Sequence, residues 1–62
     1  MNNRKVINTR EAQKILRANG YEYQYCKGSH FHYAKDGNVI VINKGLNAMV
    51  WRRLVKENNL IV

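Results

Sequence analysis

The sequence predicts a two-layer α+β domain of order α-β-β-β-α, with a three-stranded antiparallel sheet carrying both helices on one face. Three observations predict it. Apolar residues recur at helical spacing in one segment towards each end of the chain. Between those segments the pattern shifts to the two-residue period of strands. Two glycine-containing turns, Gly28-Ser29 and Asp36-Gly37-Asn38, then divide the middle into three short strands. A chain of 62 residues makes one small domain with a marginal core. The whole of 1–62 is therefore read as one domain, with 1–8 as an arm ahead of it.

Met1 to Ile7 is basic through Arg4 and Lys5 and fits either a short edge strand or a loose arm. Asn8-Thr9-Arg10-Glu11 reads as a helix start: Asn8 caps, and Glu11 falls where its carboxylate reaches back to the cap amide. Ile7 and Ala12 are placed as the accompanying hydrophobic staple. Ala12, Ile15 and Leu16 share the inner face, and Arg10, Lys14 and Arg17 the outer one. Gly20 ends the helix in the left-handed conformation.

Tyr21 to Cys26 alternates aromatic and mostly polar residues. The tyrosines are assigned to a face packed on the preceding helix, rather than to base stacking. After the Gly28-Ser29 turn, His30 to Lys35 forms a strand with Phe31 and Tyr33 on one face and His30 and His32 on the other. Val39-Ile40-Val41-Ile42 is β-branched on both faces, which suits a central strand or one whose second face is covered. Asn47 caps the last helix, with Leu46 and Trp51 at staple positions. Val50, Trp51, Leu54 and Val55 form its buried side, and Leu60-Ile61-Val62 folds back on the core or a partner.

A formal net charge of +7 in so short a chain calls for a polyanion, with nucleic acid the first candidate and an acidic protein surface the second. Cys26 is the single cysteine, so no internal disulfide forms and a reducing cytoplasm is expected. The thiol is read as a small hydrophobe and not a nucleophile, because neighbouring Lys27 projects from the opposite face. No apolar run is long enough to span a membrane, and no charged-then-apolar signal segment is seen.

Chemistry concentrates in Lys27-Gly28-Ser29-His30-Phe31-His32-Tyr33. An imidazole can both take and give a proton near neutrality. His30 and His32 share a strand face, so one substrate can meet both. Gly28 lets a phosphate approach backbone amides, Lys27 offsets its charge, and Ser29 can orient a phosphate oxygen or an imidazole. Arg10, Lys14, Arg17, Lys35 and Lys44 are candidates for general phosphate attraction. RNA supplies its own nucleophile, the 2′-OH, so a histidine with cations can do much of its cleavage without a metal. No Asp, Glu or Cys cluster completes a zinc set with the two histidines, and no metal or other cofactor is expected. Taken alone, a strand histidine is more often structural than catalytic.

The helix ending Asn19-Gly20-Tyr21, the Lys27-Gly28-Ser29-His30 element with its trailing aromatic Tyr33, the β-branched strand and the last helix together resemble the HicA toxin family. The resemblance spans roughly Thr9 to Ile61, and the Gly-Ser-His element is its most specific part. It implies a fold like the double-stranded-RNA-binding domain, messenger-RNA endoribonuclease activity, and a HicB-like antitoxin protein as partner. It makes His30 the catalytic residue and places Gly28 and Ser29 beside it. His32 receives no role from the resemblance and stands as a substrate-binding candidate on its position alone. Many members carry Val-Pro-x-His after the third strand, where this chain reads Val41-Ile42-Asn43-Lys44. Two other functions fit the same residues: a non-catalytic RNA-binding module of this fold, and a small basic adaptor that docks on an acidic protein.

Overall fold

The computed structural model describes residues 8–62. The arm over Met1 to Ile7, and the Ile7 half of the first staple, lie outside the described residues. The elements are α1 (Thr9–Ala18), β1 (Glu22–Lys27), β2 (His30–Lys35), β3 (Asn38–Asn43) and α2 (Ala48–Asn58). The three strands form one antiparallel sheet in the order β1-β2-β3, with both helices on one face. This is the α+β order predicted from the sequence.

Local chemistry sets the element ends. The Asn8 side-chain oxygen accepts from the Glu11 N–H at 2.9 Å, opening α1. At its other end Gly20 sits at φ 91. The Gly20 N–H donates to the Arg17 carbonyl and the Tyr21 N–H to the Leu16 carbonyl. These are the paired bonds of a Schellman stop, with buried Leu16 and Tyr21 as its apolar pair. Asn47 caps α2 by accepting from the Val50 N–H at 2.9 Å, and Asn59 ends it in the left-handed region. Leu46 and Trp51 are both buried, in keeping with the expected staple. Asp36 and Gly37 both have positive φ, as a two-residue type I′ hairpin requires.

The core lies between the layers. Tyr33, Ile40 and Ile42 point from the sheet towards Ala12 and Leu16 of α1, Trp51 of α2, and Tyr21, Leu46 and Leu60 between elements. The Tyr33 hydroxyl donates to the Gln13 side chain at 2.6 Å, which ties β2 to α1. Asn19 forms a second tie: its amide donates to the Ile61 carbonyl and accepts from the Ile61 N–H. Leu60 is thereby held in the core, while Ile61 and Val62 project outward, so only part of that tail folds back.

Three expectations need correction. The tyrosines do not share a face. Tyr23 lies opposite Tyr33, but Tyr25 lies opposite His32, because Gln24 is an extra residue in β1, a β-bulge. Tyr21 is buried and Tyr23 packs edge-on to Tyr33, whereas Tyr25 emerges on the other sheet face. Second, β3 is neither central nor covered: β2 is the middle strand, and Val39 and Val41 are exposed. Third, Val50 is 44% exposed and not on the buried side of α2. It sits one helical position before Trp51, about 100° around the axis, which turns it off the core.

Candidate active site

The strand register decides which residues meet. Counting outward from the Gly28-Ser29 turn, Lys27 pairs with His30 on β2, and His30 pairs with Asn43 on β3. Side chains of directly opposed residues project to the same face, so Lys27, His30 and Asn43 form a row at one end of the open sheet face. Gly28 has φ 63 at the first turn position, where a type II′ hairpin needs it. A Cβ there would meet nothing within 4 Å, so glycine serves the backbone angle and not a tight fit. The turn stands open to solvent.

Lys44 joins this end through the backbone. Its N–H donates to the Ser29 carbonyl at 2.9 Å, which holds the segment after β3 against the turn before β2. The Thr9 hydroxyl lies 3.0 Å from the Asn43 carbonyl and 2.9 Å from that of Lys44, so the start of α1 fastens the same corner from the helix side. Lys27, Ser29, His30 and Lys44 are all exposed. Beside His30 a cleft of about 140 Å³ runs between the end of β3 and the start of α2, lined by Asn43, Gly45, Asn47 and Val50. His30 is itself among the residues that line it. Such an arrangement can receive a phosphate at the turn and exchange a proton with a group in the cleft.

One register step along the same face, the Tyr25 and His32 rings stack with centroids 4.2 Å apart and planes 14° from parallel. His32 is half-buried and Tyr25 exposed. His32 thus shares the face of His30, as its spacing predicts.

Lys35 does not join this group. It ends β2 five residues from His30, about 17 Å along the strand. Its ammonium donates to the Asn19 carbonyl at 2.9 Å and lies 5.8 Å from the centre of the Tyr21 ring. A cation there complements the carbonyl end of α1, which is a structural role. Arg10, Lys14 and Arg17 are exposed on α1, in the other layer from the Tyr25–His32 pair. Of the predicted phosphate contacts, Lys27, Gly28, Ser29 and Lys44 lie at the His30 end of the sheet, Lys44 through its backbone bond to Ser29.

Sequence reasoning missed Tyr25, Asn47 and Val50. Tyr25 was within reach: pairing outward from a two-residue turn sets residue 25 opposite residue 32. For Asn47 and Val50 the helix-capping pattern spoke only of α2 itself, and their proximity to His30 follows from tertiary packing. Among the described residues no three His, Cys, Asp or Glu side chains group so as to hold a metal ion. No helix among them is long and apolar enough to cross a membrane. In comparisons with known proteins, no family model, curated protein or solved structure matches the chain.

Proposed function

We propose that this chain is an endoribonuclease toxin of the HicA kind, which cleaves messenger RNA in the cytoplasm and is silenced by a HicB-like antitoxin protein. One observation carries the reading. His30, Lys27, the open Gly28-Ser29 turn and Lys44 lie at one corner of the sheet, beside a cleft, in a chain of net charge +7. The family resemblance of the Gly-Ser-His element supports it from the sequence side.

His30 takes the proton of a ribose 2′-OH as that oxygen attacks phosphorus. The bond from phosphorus to the 5′-oxygen breaks, and the imidazolium returns the proton to that leaving oxygen. A 2′,3′-cyclic phosphate and a 5′-hydroxyl result. Lys27 and Lys44 offset charge as it builds on the phosphate oxygens, and the Gly28-Ser29 backbone lets the phosphate come close. Binding is expected to weaken with salt, because cations on this corner and on the outer face of α1 release counterions from the RNA.

The test is incubation of the protein and its His30→Ala variant with a long single-stranded RNA in EDTA. Cleavage by the native chain alone, with cyclic-phosphate ends, is the expected result. Tight binding without cleavage would instead make the chain an RNA-binding module. Neither binding nor cleavage would leave the adaptor that docks on an acidic protein.

A further inference from the structure

The open face of the sheet holds an aromatic pair that the cleavage chemistry does not use. We infer that the Tyr25–His32 stack is a platform for one unpaired base of the RNA, so that the corner at His30 accepts single strands. This deepens the proposed function and rests on it.

The Gln24 bulge sets the platform's position. Without it, Tyr23 and Tyr25 would share one face of β1, and Tyr23 would leave its place beside Tyr33 on the helix side of the sheet. With it, Tyr21 is buried and Tyr23 stays on the helix side of the sheet, edge-on to Tyr33 and itself 49% exposed, while Tyr25 is the one tyrosine on the open face, 52% exposed. One face of its ring lies against His32. Among the described residues β1 is an edge strand, so the sheet places nothing on the ring's other side. The stack also holds the phenol in one orientation before any ligand arrives, which lowers the cost of ordering it on binding.

Charge along this face favours a nucleotide over an apolar partner. Lys27 and His30 lie two residues along the strands from Tyr25 and His32, about 7 Å away. That is a span one unstacked nucleotide bridges from base to phosphate. At the far end of the same face stands Glu22, opposite Ala34 and near the Asp36 turn. Along β1 and β2 the face is thus cationic at one end, aromatic in the middle and anionic at the other, with the exposed Val41 and Val39 beside the middle and far end on β3. A phosphate belongs at the Lys27 end, the base on Tyr25, and the next phosphate is turned away from Glu22. A duplex buries its base faces in its own stack and has none to offer the ring.

The test uses the His30→Ala chain, so that binding is measured without cleavage. A fluorescent single-stranded RNA and a duplex of the same sequence are titrated in turn by anisotropy, and circular dichroism checks the fold of each variant. Tyr25→Leu is expected to weaken single-strand binding about ten-fold, the order found when one stacking aromatic is removed. Tyr25→Phe should keep it. The salt slope of Tyr25→Leu should match that of the parent, whereas Lys27→Ala should lower the slope by roughly 0.7. Equal binding by Tyr25→Leu and its parent, or a duplex bound as tightly as the single strand, overturns the platform. A native chain that binds single strands through Tyr25 but never cleaves would sustain the platform while the nuclease reading fell. If the parent binds no RNA, both fall.

Discussion

The Gly28-Ser29 turn and the Asp36-Gly37 turn each close a two-residue hairpin, and each depends on glycine at positive φ. Both are flanked by lysine. They differ in what surrounds them. At the Asp36 end, Lys35 is bound to the Asn19 carbonyl, and the Asn38 amide donates to the Tyr21 hydroxyl at 2.6 Å and to Asn58 at 2.7 Å. Polar atoms there join the helix ends to the sheet. At the Gly28 end the bonds are of another kind: the Lys44 N–H to the Ser29 carbonyl, and the Cys26 thiol to the Gly28 carbonyl at 3.3 Å. Backbone carbonyls, met by the Lys44 N–H and by the short Thr9 and Cys26 side chains, hold that corner together while Lys27, Ser29 and His30 face solvent. Side chains engaged inside the fold stabilise it; a corner fixed by its backbone can present side chains to something else.

That contrast is broken most directly at its centre. His30→Ala should lower RNA cleavage by roughly 10² to 10⁴, the range for loss of a general acid–base group. The melting temperature should stay near that of the parent, because the imidazole is exposed. Leu16→Ala should act the other way round. Its side chain is fully buried, so truncation should cost about 2–5 kcal/mol in a denaturant melt. Any residual folded protein should still cleave.

The two turn glycines sharpen the comparison. A Cβ at Gly28 or at Gly37 would meet nothing within 4 Å, so the penalty for alanine is the backbone angle alone, about 1–2 kcal/mol at each. Both variants should melt earlier, and only Gly28→Ala should also slow cleavage. Equal cleavage by the two would remove the functional distinction between the turns. Lys35→Ala should cost at most about 1 kcal/mol, its bond being exposed, and should leave cleavage unchanged.

Alkaline pH probes the β2–α1 tie. Burial raises the pKa of Tyr33 above the ordinary 10.0, with the neighbouring Tyr23 adding to the effect and the charge of Arg17 opposing it. The folded state therefore holds this proton more tightly than the unfolded chain. The resulting stability is fully present below the unfolded pKa and is lost as pH rises through the raised folded one. Urea melts on either side of pH 10.0 should show the decline, and Tyr33→Phe should remove Tyr33's share of it.

Much of this architecture could be read from the chain because it rests on local chemistry. Asn8, Gly20, Asn47 and Asp36-Gly37 each satisfy a backbone need that few residues meet. The tyrosine row misled because alternation in β1 fixes faces only relative to itself, while the turn fixes them relative to β2. Those two requirements disagree by one residue, and the Gln24 bulge reconciles them. No glycine or proline marks the bulge, so only the conflict itself announces it. The exposed Val39 and Val41 resisted assignment for a related reason: apolar residues on both faces say nothing of strand order. His30, Lys27, Gly28 and Ser29 were legible as a group because they are consecutive. Lys35 was grouped with them on charge alone, which carries no information about the end of the sheet it occupies.

The bulge also bears on crowding among copies of the protein. Among the described residues the sheet has two borders, β1 and β3. An irregular border twists away from would-be neighbours, whereas β3 keeps unbroken register with β2 over Asn38–Asn43, with its outward Asn43 carbonyl already engaged by the Thr9 hydroxyl and the Leu46 N–H. Among the described residues, the regular run at Val39 to Val41 is the easier edge for another strand to meet. The irregular β1 edge thus works against edge-to-edge pairing on that side of the sheet.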